Sequence, residues 1–389
     1  MKALYKLLIA AYCEIDKYAS KAYSVIHDVS EALNLGDITK VNPNKLIPYN
    51  VLAGGSPCQD FSIAGKGQGA VWKCLACGAE YNPLSVHFSE RKQCPHCHSE
   101  DIEKTRSSLL VHYLEVLHST MPTVAFYENV KNLLSKNFKD VFEMFVTEIE
   151  EYGYNVYFKL LNGKDYGIPQ NRERVIMLAI RKDVDNGKFK FPAPCENGKT
   201  FNDLLDDCSP LFENTDETII IDDKIMPAVK RNIELYKEHI VNSDKGIYRI
   251  PCTTSFQDNA VGVKYSPTIA ASNHSTIVLQ KKVVDGVERF YFKKLRAHEA
   301  MRFMGFDDED YRKASSVVSD SQIYKQSGNS IITDVIYAVF KELFNAMPYL
   351  FTDMRLLHLF SGIGSVEKGI GRVIAEANAS AIEGGGLHE

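Results

Sequence analysis

The sequence predicts an α/β protein with a parallel central sheet. Short apolar runs rich in β-branched and aromatic residues alternate with stretches of helical periodicity along most of the chain. Two of these runs end in glycine-bearing turns, Gly54-Gly55 and Ser361-Gly362-Ile363-Gly364, the place where open α/β sheets hold their ligands. Between about residues 195 and 292 the alternation lapses into an irregular, Asn/Asp/Ser/Thr-rich stretch, which predicts a smaller second domain.

The elements follow in order. Residues 51–53 read as a strand running into Gly54-Gly55. Residues 107–118 carry Leu109, Leu110, Tyr113, Leu114 and Leu117 at helical spacing. Residues 123–127 read as a buried strand. Residues 141–152 place Val141, Phe142, Phe145 and Ile149 on one helical face. Residues 156–161 and 175–180 read as strands, and the prolines of 191–194 break the pattern. Helical patterning returns over 295–304 and 331–343, and residues 355–360 form a last strand. The expected domains are 1–70 with 104–190, the first parts of the main domain; 71–103, an insertion; 191–292, the second domain; 293–380, completing the main domain; and 381–389, a disordered tail.

Composition narrows the function. With 389 residues, 45% of them hydrophobic, the chain can bury a large core in two or three domains. Its 45 basic and 50 acidic residues leave a net charge of −5, which excludes a uniformly basic nucleic-acid coat but not a local basic cleft. No run of about 18 apolar residues exists, so no transmembrane helix and no membrane partner are expected. The apolar start is followed at once by Cys13, Glu14 and Asp16, which is no signal peptide, and a cytoplasmic protein is expected.

The nine cysteines do not resemble a disulfide framework. Cys74-x2-Cys77 and Cys94-x2-Cys97, sixteen residues apart, read as four thiolate ligands of a tetrahedral zinc ion. His96 or His98 is an alternative to Cys97.

Four further segments carry reactive groups. Cys58 in Ser56-Pro57-Cys58-Gln59 follows a strand and a tight glycine turn; it is either a nucleophile or a small buried hydrophobe. Glu128 in Glu128-Asn129-Val130 follows a buried strand as a helix-start acid or a catalytic acid. Arg172 and Arg174, in Gln170-Asn171-Arg172-Glu173-Arg174, share one face of an extended chain. They are either a solvated charge run or guanidiniums aimed at phosphate or carboxylate. The Ser361–Gly364 turn is half a nucleotide-binding loop, with Glu14 or Asp16 at a strand end as the acid for ribose hydroxyls.

Taken together, the PCQ, ENV, QNRER and FSGIG segments and Gln326-Ser327-Gly328-Asn329-Ser330 resemble the ordered motifs of DNA (cytosine-5)-methyltransferases. The resemblance covers nearly all of the chain outside 71–103 and about 195–290. It implies a Rossmann-like, S-adenosylmethionine-dependent methyltransferase domain, with a smaller irregular target-recognition domain over 191–292 and a zinc-ribbon-like insertion.

The implied roles follow position by position. Cys58 resembles the nucleophile that attacks carbon 6 of a flipped-out cytosine. Glu128 resembles the acid that contacts N3 and the exocyclic amine. Arg172 and Arg174 resemble the arginines that orient the base and the carboxylate. Phe360, Gly362, Ile363, Gly364, Glu14, Asp37, Ile38, Asn329 and Ser330 match cofactor-binding positions. Arg296 and Glu299 match a mostly structural motif. Gln59, Ser62, Arg106, Thr268 and Ile269 are candidate DNA contacts.

Two features depart from the family pattern. Ser365 stands where a third glycine is frequent. More importantly, FSGIG lies after the GNS motif instead of opening the order, so the chain reads as circularly permuted. The strand at 355–360 is then expected beside the strands preceding Glu14 and Asp37. The implied partner is double-stranded DNA, acted on by a monomer in a restriction-modification or phage DNA-modification setting, in a bacterial or phage-infected cell. RNA methylation, or a catalytically idle zinc-ribbon binding protein on the same scaffold, are the competing functions.

Overall fold

The computed structural model describes residues 5–57, 71–104, 109–195, 198–206, 245–249, 261–262, 265–271, 276–284 and 286–383. The chain enters through strand β1 (Leu7–Cys13) and helix α1 (Lys17–Ile26), capped by the Asp16 carboxylate on the amides of Tyr18 and Ala19. Strand β2 (Val51–Gly54) follows. Strands β3 (Trp72–Cys74), β4 (Glu80–Tyr81) and β5 (Ile102–Lys104) make a small antiparallel sheet that carries the four clustered cysteines. Helix α2 (Leu109–Thr120), strand β6 (Val124–Val130), helix α3 (Lys139–Glu151) and strands β7 (Tyr154–Asn162), β8 (Gln170–Asn171) and β9 (Glu173–Arg181) come next. Strands β10 (Lys245–Arg249), β11 (Val261–Gly262), β12 (Ser266–Pro267), β13 (Thr276–Val284) and β14 (Val287–Lys294) follow. The chain continues through helices α4 (Ala297–Arg302), α5 (Asp308–Ser315), α6 (Asp320–Asn329) and α7 (Thr333–Ala346). Strand β15 (Met354–Leu359) and helix α8 (Ser365–Glu383) complete it.

The central sheet has six strands in the order β1-β15-β2-β6-β9-β7. The first four are mutually parallel, but β9 runs antiparallel to both β6 and β7. The sheet is therefore mixed, not parallel throughout. A parallel return needs a crossover of about a dozen residues or more, usually an α-helix, and the short link between β7 and β9 holds only the 3-10 turn Gly163–Tyr166 and β8.

Period-two alternation divides the core between the two faces of the sheet. Val124 and Phe126 face Ile336 and Phe340 of α7 and Ile370 of α8. Ala125 and Tyr127 face Leu114 and Leu117 of α2 and Phe145 of α3. Each such fully buried large apolar side chain contributes about 1.5–3 kcal/mol, so the parallel strands are held from both sides.

The helices and strands of the main domain lie where expected, with ends moved by at most three residues. Two expectations change. No strand precedes Asp37: the chain makes a single bridge, Tyr12 to Asn34, then turns at Gly36 (φ +70°) into a 3-10 turn capped by Asp37. And the described part of 191–292 is not irregular. It holds a four-stranded antiparallel sheet, β11-β10-β13-β14, whose long β13–β14 hairpin closes with Val284 opposite Val287 and with Gly286 at φ +76°. In the sequence, Asp285-Gly286 is a strong hairpin signal.

The cysteine-bearing insertion is fastened to the main domain. Trp72 is fully buried in the α2/α3 side of the core, with Leu84 beside it. Arg91, only 4% exposed, donates to the carbonyls of Pro83 and Val86 and pairs with Glu148 on α3, which also accepts from the Tyr152 hydroxyl.

The far end of the chain closes on its beginning. The Tyr5 amide donates to Asn378 Oδ1 and Asn378 Nδ2 donates to the Tyr5 carbonyl, each at 2.9 Å. The link before β15 passes through the exposed Tyr349. A variant with residues 349–383 placed before residue 5, joined through a short glycine linker, and ending at residue 348 is therefore expected to fold to the same sheet. Cooperative unfolding within a few degrees of the parent is the expected result; an insoluble or non-cooperative product would refute it.

Candidate active site

One cavity of about 400 Å³ opens at the carboxyl ends of β1, β2, β6 and β15. Its walls include Glu14, Asp37, Ile38, Glu128, Arg172, Arg174, Asn329, Phe360 and Gly362. These residues are separated by up to 348 positions in the chain and meet because their strands are neighbours.

On one side the Glu14 carboxylate, at the end of β1, accepts the Asp16 amide at 2.8 Å and the Gly362 amide at 2.9 Å. Burial raises its pKa above the ordinary value, against those two hydrogen bonds. Phe360 and Gly362 both take positive φ, 58° and 55°, which turns the loop sharply off β15. Ile15 stands on the same wall and is 79% exposed, an apolar surface open to a ligand. Lys325 of α6 reaches Asp16 at 2.7 Å. Ile15 and Lys325 were not singled out in the sequence; the position of Ile15 between the two candidate acids Glu14 and Asp16 at a strand end is the signal it left.

On the other side stands Glu128. Arg174 pairs with it, Nε to Oε1, at 2.9 Å. Burial pushes the Glu128 carboxyl above its ordinary pKa, and Arg174 and Arg172 pull it back. Gly55 lies against it: a Cβ there would come within 2.9 Å of the Glu128 carbonyl oxygen and 3.1 Å of Oε2. Only glycine lets this loop approach so closely.

Ser56 is fixed by its hydroxyl contact with Tyr127 (2.7 Å), and Asn129 Nδ2 donates to Tyr127 Oη (2.9 Å) and to the Ser56 carbonyl (3.3 Å). Asn129 is thus the brace of the loop that ends at Pro57, a role not assigned to it from sequence. Pro57 lines the cavity. Cys58, Gln59, Ser62 and Arg106 lie outside the described residues.

The two arginines have different surroundings. Arg172, 3% exposed, donates to the carbonyls of Ile269 (3.1 Å), Gly328 (2.9 Å) and Ser330 (2.7 Å). Gln170 joins it, accepting the Ile269 amide and donating to the Phe303 carbonyl. A Cβ on Gly328 would strike Ala270 and Ala271 at 2.3–2.5 Å, so this segment sits directly on the end of α6.

Several expected site residues stand apart from the cavity lining. Ile269 is 1% exposed and packs with Leu295, Phe303 and Tyr324, so its side chain has no surface to offer DNA. Thr268 remains nearer the surface, its hydroxyl on the Asn171 carbonyl. Ile363 is buried in the core, while Gly364 and Ser330 stand behind the wall. The Glu299 carboxylate takes the amides of Arg296 and Asp206.

The four cysteines converge. Cys74 Sγ and Cys97 Sγ are 3.5 Å apart, Cys77 Sγ and Cys94 Sγ 3.8 Å, and all four lie within 4.8 Å of one another. Four thiolates about 2.3 Å from one tetrahedral ion would stand about 3.8 Å apart, so the donor set fits zinc. Asp206, His298 and Glu299 also cluster, but Arg296 and Arg302 already pair with Asp206.

A family model for C-5 cytosine-specific DNA methylases matches residues 4–73 and 95–345, well over half of the chain. The chain belongs to that family. It is a DNA (cytosine-5)-methyltransferase, of a class that uses S-adenosylmethionine and acts on DNA. The match leaves out most of the cysteine module, and β15 with α8. The methyltransferase is 32% identical over 313 residues to the type II methyltransferase M2.ScrFI of Lactococcus lactis subsp. cremoris, covering 80% of this chain and 71% of that one. It is 27% identical over 405 residues to the orphan methyltransferase M.SPBetaI of Bacillus phage SPbeta, covering 86% and 91%. The structure of the Entamoeba histolytica methyltransferase EhMeth shares the fold, with a TM-score of 0.52 at 16% identity over 86% of this chain and 89% of that one. Among the described residues no helix is long and apolar enough to cross a membrane.

Removing the Arg174 cation leaves burial less opposed, so Arg174→Gln should raise the Glu128 pKa further, with Arg174→Lys between it and wild type. Because burial raises this group, ionising it opposes folding. The loss of stability sets in as pH climbs past the ordinary carboxylate value of 4.5 toward the raised one. Carbon-13 titration of labelled glutamate in the three proteins reads the shift directly, and an unmoved Glu128 resonance would contradict the assignment.

Proposed function

We propose that this methyltransferase flips a cytosine out of double-stranded DNA at a specific sequence and methylates carbon 5 through a Cys58 adduct. The observation that carries the reading is the meeting of Glu128, Arg174 and the Pro57 end of the PCQ loop in the same cavity as Glu14 and Gly362. Bound S-adenosylmethionine would supply the methyl group. Glu14, Asp37, Ile38, Phe360, Gly362 and Asn329 would hold it, with an acid for hydroxyls beside the exposed Ile15.

The protein's own part is nucleophilic and acid catalysis. The Cys58 thiolate forms a bond to carbon 6, since a cytosine ring is a poor methyl acceptor until a nucleophile adds to it. Glu128, held by Arg174, keeps a proton at N3, which accommodates the electron pair displaced into the ring. Its burial favours the protonated form that this role needs. After carbon 5 is methylated it loses its hydrogen as a proton. The electron pair of that bond re-forms the 5,6 double bond, and Cys58 leaves as thiolate.

Arg172 and Gln170 hold the segment around Ile269 against the active site, which supports site selection by residues 191–292. The β1-β15-β2 strand order supports a circular permutation of the family's motif order. A restriction-modification or phage setting is suggested by the relatives' names. The test is covalent trapping. A duplex carrying 5-fluorocytosine blocks the loss from carbon 5, so wild type should form a stable adduct and Cys58→Ser none, with cofactor binding retained. An active wild type that never yields an adduct would sink the mechanism.

The cysteine module is proposed to bind one zinc ion through Cys74, Cys77, Cys94 and Cys97 and so brace the far anchor of the PCQ loop at Trp72. Trp72 is the chain's one tryptophan and is fully buried. Chelation, or Cys94→Ser, should therefore shift tryptophan emission to the red as the module loosens. Purified protein without stoichiometric zinc, or unchanged emission after chelation, would overturn this.

A further inference from the structure

Behind the FSGIG loop lies a buried polar cluster that does not line the cavity. Glu367, in the first turn of α8, is 3% exposed. Its carboxylate accepts the Tyr23 hydroxyl at 2.6 Å and His358 Nδ1 at 2.8 and 3.0 Å. His358 is 3% exposed and Tyr23 is fully buried. The three side chains come from α8, β15 and α1, the elements that flank the cofactor loop. His27, at the end of α1, donates Nε2 to the Ile363 carbonyl at 2.9 Å, a role set by the acceptor-only partner. Gly364 sits so tightly here that a Cβ would meet His27 Nε2 at 2.0 Å.

The cluster connects to Glu14 on the wall of the cavity. The Tyr23 ring stacks on Tyr12 at 4.0 Å. Tyr12 Oη meets Ser20 Oγ at 3.1 Å, and Ser20 Oγ accepts Asn34 Nδ2 at 3.0 Å. Asn34 in turn holds Glu14 by both backbone groups, accepting its amide at 3.0 Å and donating to its carbonyl at 2.9 Å. A continuous series of contacts therefore runs from Glu367 to Glu14, whose carboxylate takes the Gly362 amide. Both ends of that last hydrogen bond are set by the same cluster.

A buried ion pair is a poor way to gain stability. Well-packed apolar residues of the same volume are often as stable or more so, whereas polar groups fix a single arrangement. We propose that Glu367, His358 and Tyr23 are positioning residues for the cofactor: they hold the Phe360–Gly364 loop in register with Glu14 without touching the ligand. The proposal rests on the cavity being the S-adenosylmethionine site. It explains why a charged side chain occupies the first turn of α8 where the neighbouring Val366 and Ile370 are core.

The experiment is calorimetric titration of the full-length protein with S-adenosylmethionine, with duplex-DNA affinity and thermal unfolding measured alongside. The double substitution Glu367→Leu with His358→Leu should still unfold cooperatively, at somewhat lower stability because the buried Tyr23 hydroxyl loses its acceptor, yet bind the cofactor at least about tenfold more weakly, the range expected when hydrogen bonds to a charged group are lost. The cofactor KM should rise while kcat at saturation and DNA affinity change little. Glu367→Gln, which keeps the shape and part of the hydrogen bonding, should recover much of the affinity. If the double variant does not fold, Tyr23→Phe, lacking one hydroxyl, replaces it, with about threefold weaker binding expected. Wild-type binding by folded variants would overturn the proposal alone. Failure of wild type itself to bind S-adenosylmethionine would overturn the reading of the cavity, and the proposal with it.

Discussion

The insertion of β15 between β1 and β2 is the constraint on which the molecule rests. It pairs with β1 from Leu7–Met354 to Cys13–Leu359 and with β2 from Val51–Leu356 to Gly54–Leu359. Without it β1 would have no partner strand and the sheet would stop at β2. Adjacent strands lie about 4.8 Å apart, so the loops leaving their carboxyl ends emerge within hydrogen-bond reach of one another. The contact between Glu14 and Gly362 is the direct result. It joins two residues 348 positions apart in the chain.

That geometry lets one cavity serve two chemistries. Its β1/β15 side offers carboxylate, amide and apolar surface; its β6/β9 side offers a buried acid and two guanidiniums. The balance at Glu128 is delicate because burial and the arginines act in opposite directions. The polar brace of Ser56, Tyr127 and Asn129 keeps the adjoining loop in place at almost no exposure. Such networks confer order only when their members are satisfied.

The QNRER segment divides its labour by alternation. Gln170 and Arg172 spend their donors and acceptors on the backbone of the Ile269 segment and the end of α6, and Arg174 turns to Glu128. The Ile269 segment and the Glu128 carboxylate are thereby fixed by residues two positions apart. The cysteine module is likewise part of the body: Trp72 lies in the core and Arg91 is locked on Glu148.

Periodicity by itself determined the helices and strands of the main domain, because helical spacing over 141–152 and the apolar run over 123–127 report burial that the fold then supplies. Motif chemistry determined the candidate cavity, since Glu14, Glu128, Arg174 and Gly362 carry their residue types wherever the chain takes them. The CxxC pairs announced a cluster of four cysteines, because thiols at that spacing have few other uses. Tertiary structure decided the rest. The antiparallel turn of β7 and β9 depends on which edge of β6 is free, which no local pattern encodes. Arg172 looked like a partner for a ligand but is committed to three carbonyls brought from residues 269, 328 and 330. Ile269 looked available to DNA and is instead core, because its neighbours Leu295 and Phe303 arrive from beyond the β13–β14 hairpin. The links from Glu367 to Tyr23 and from Asn34 to Glu14 are side-chain contacts between distant segments. Sequence records the groups that make them, but only the packing of α8 and β15 against α1 brings them within hydrogen-bond distance.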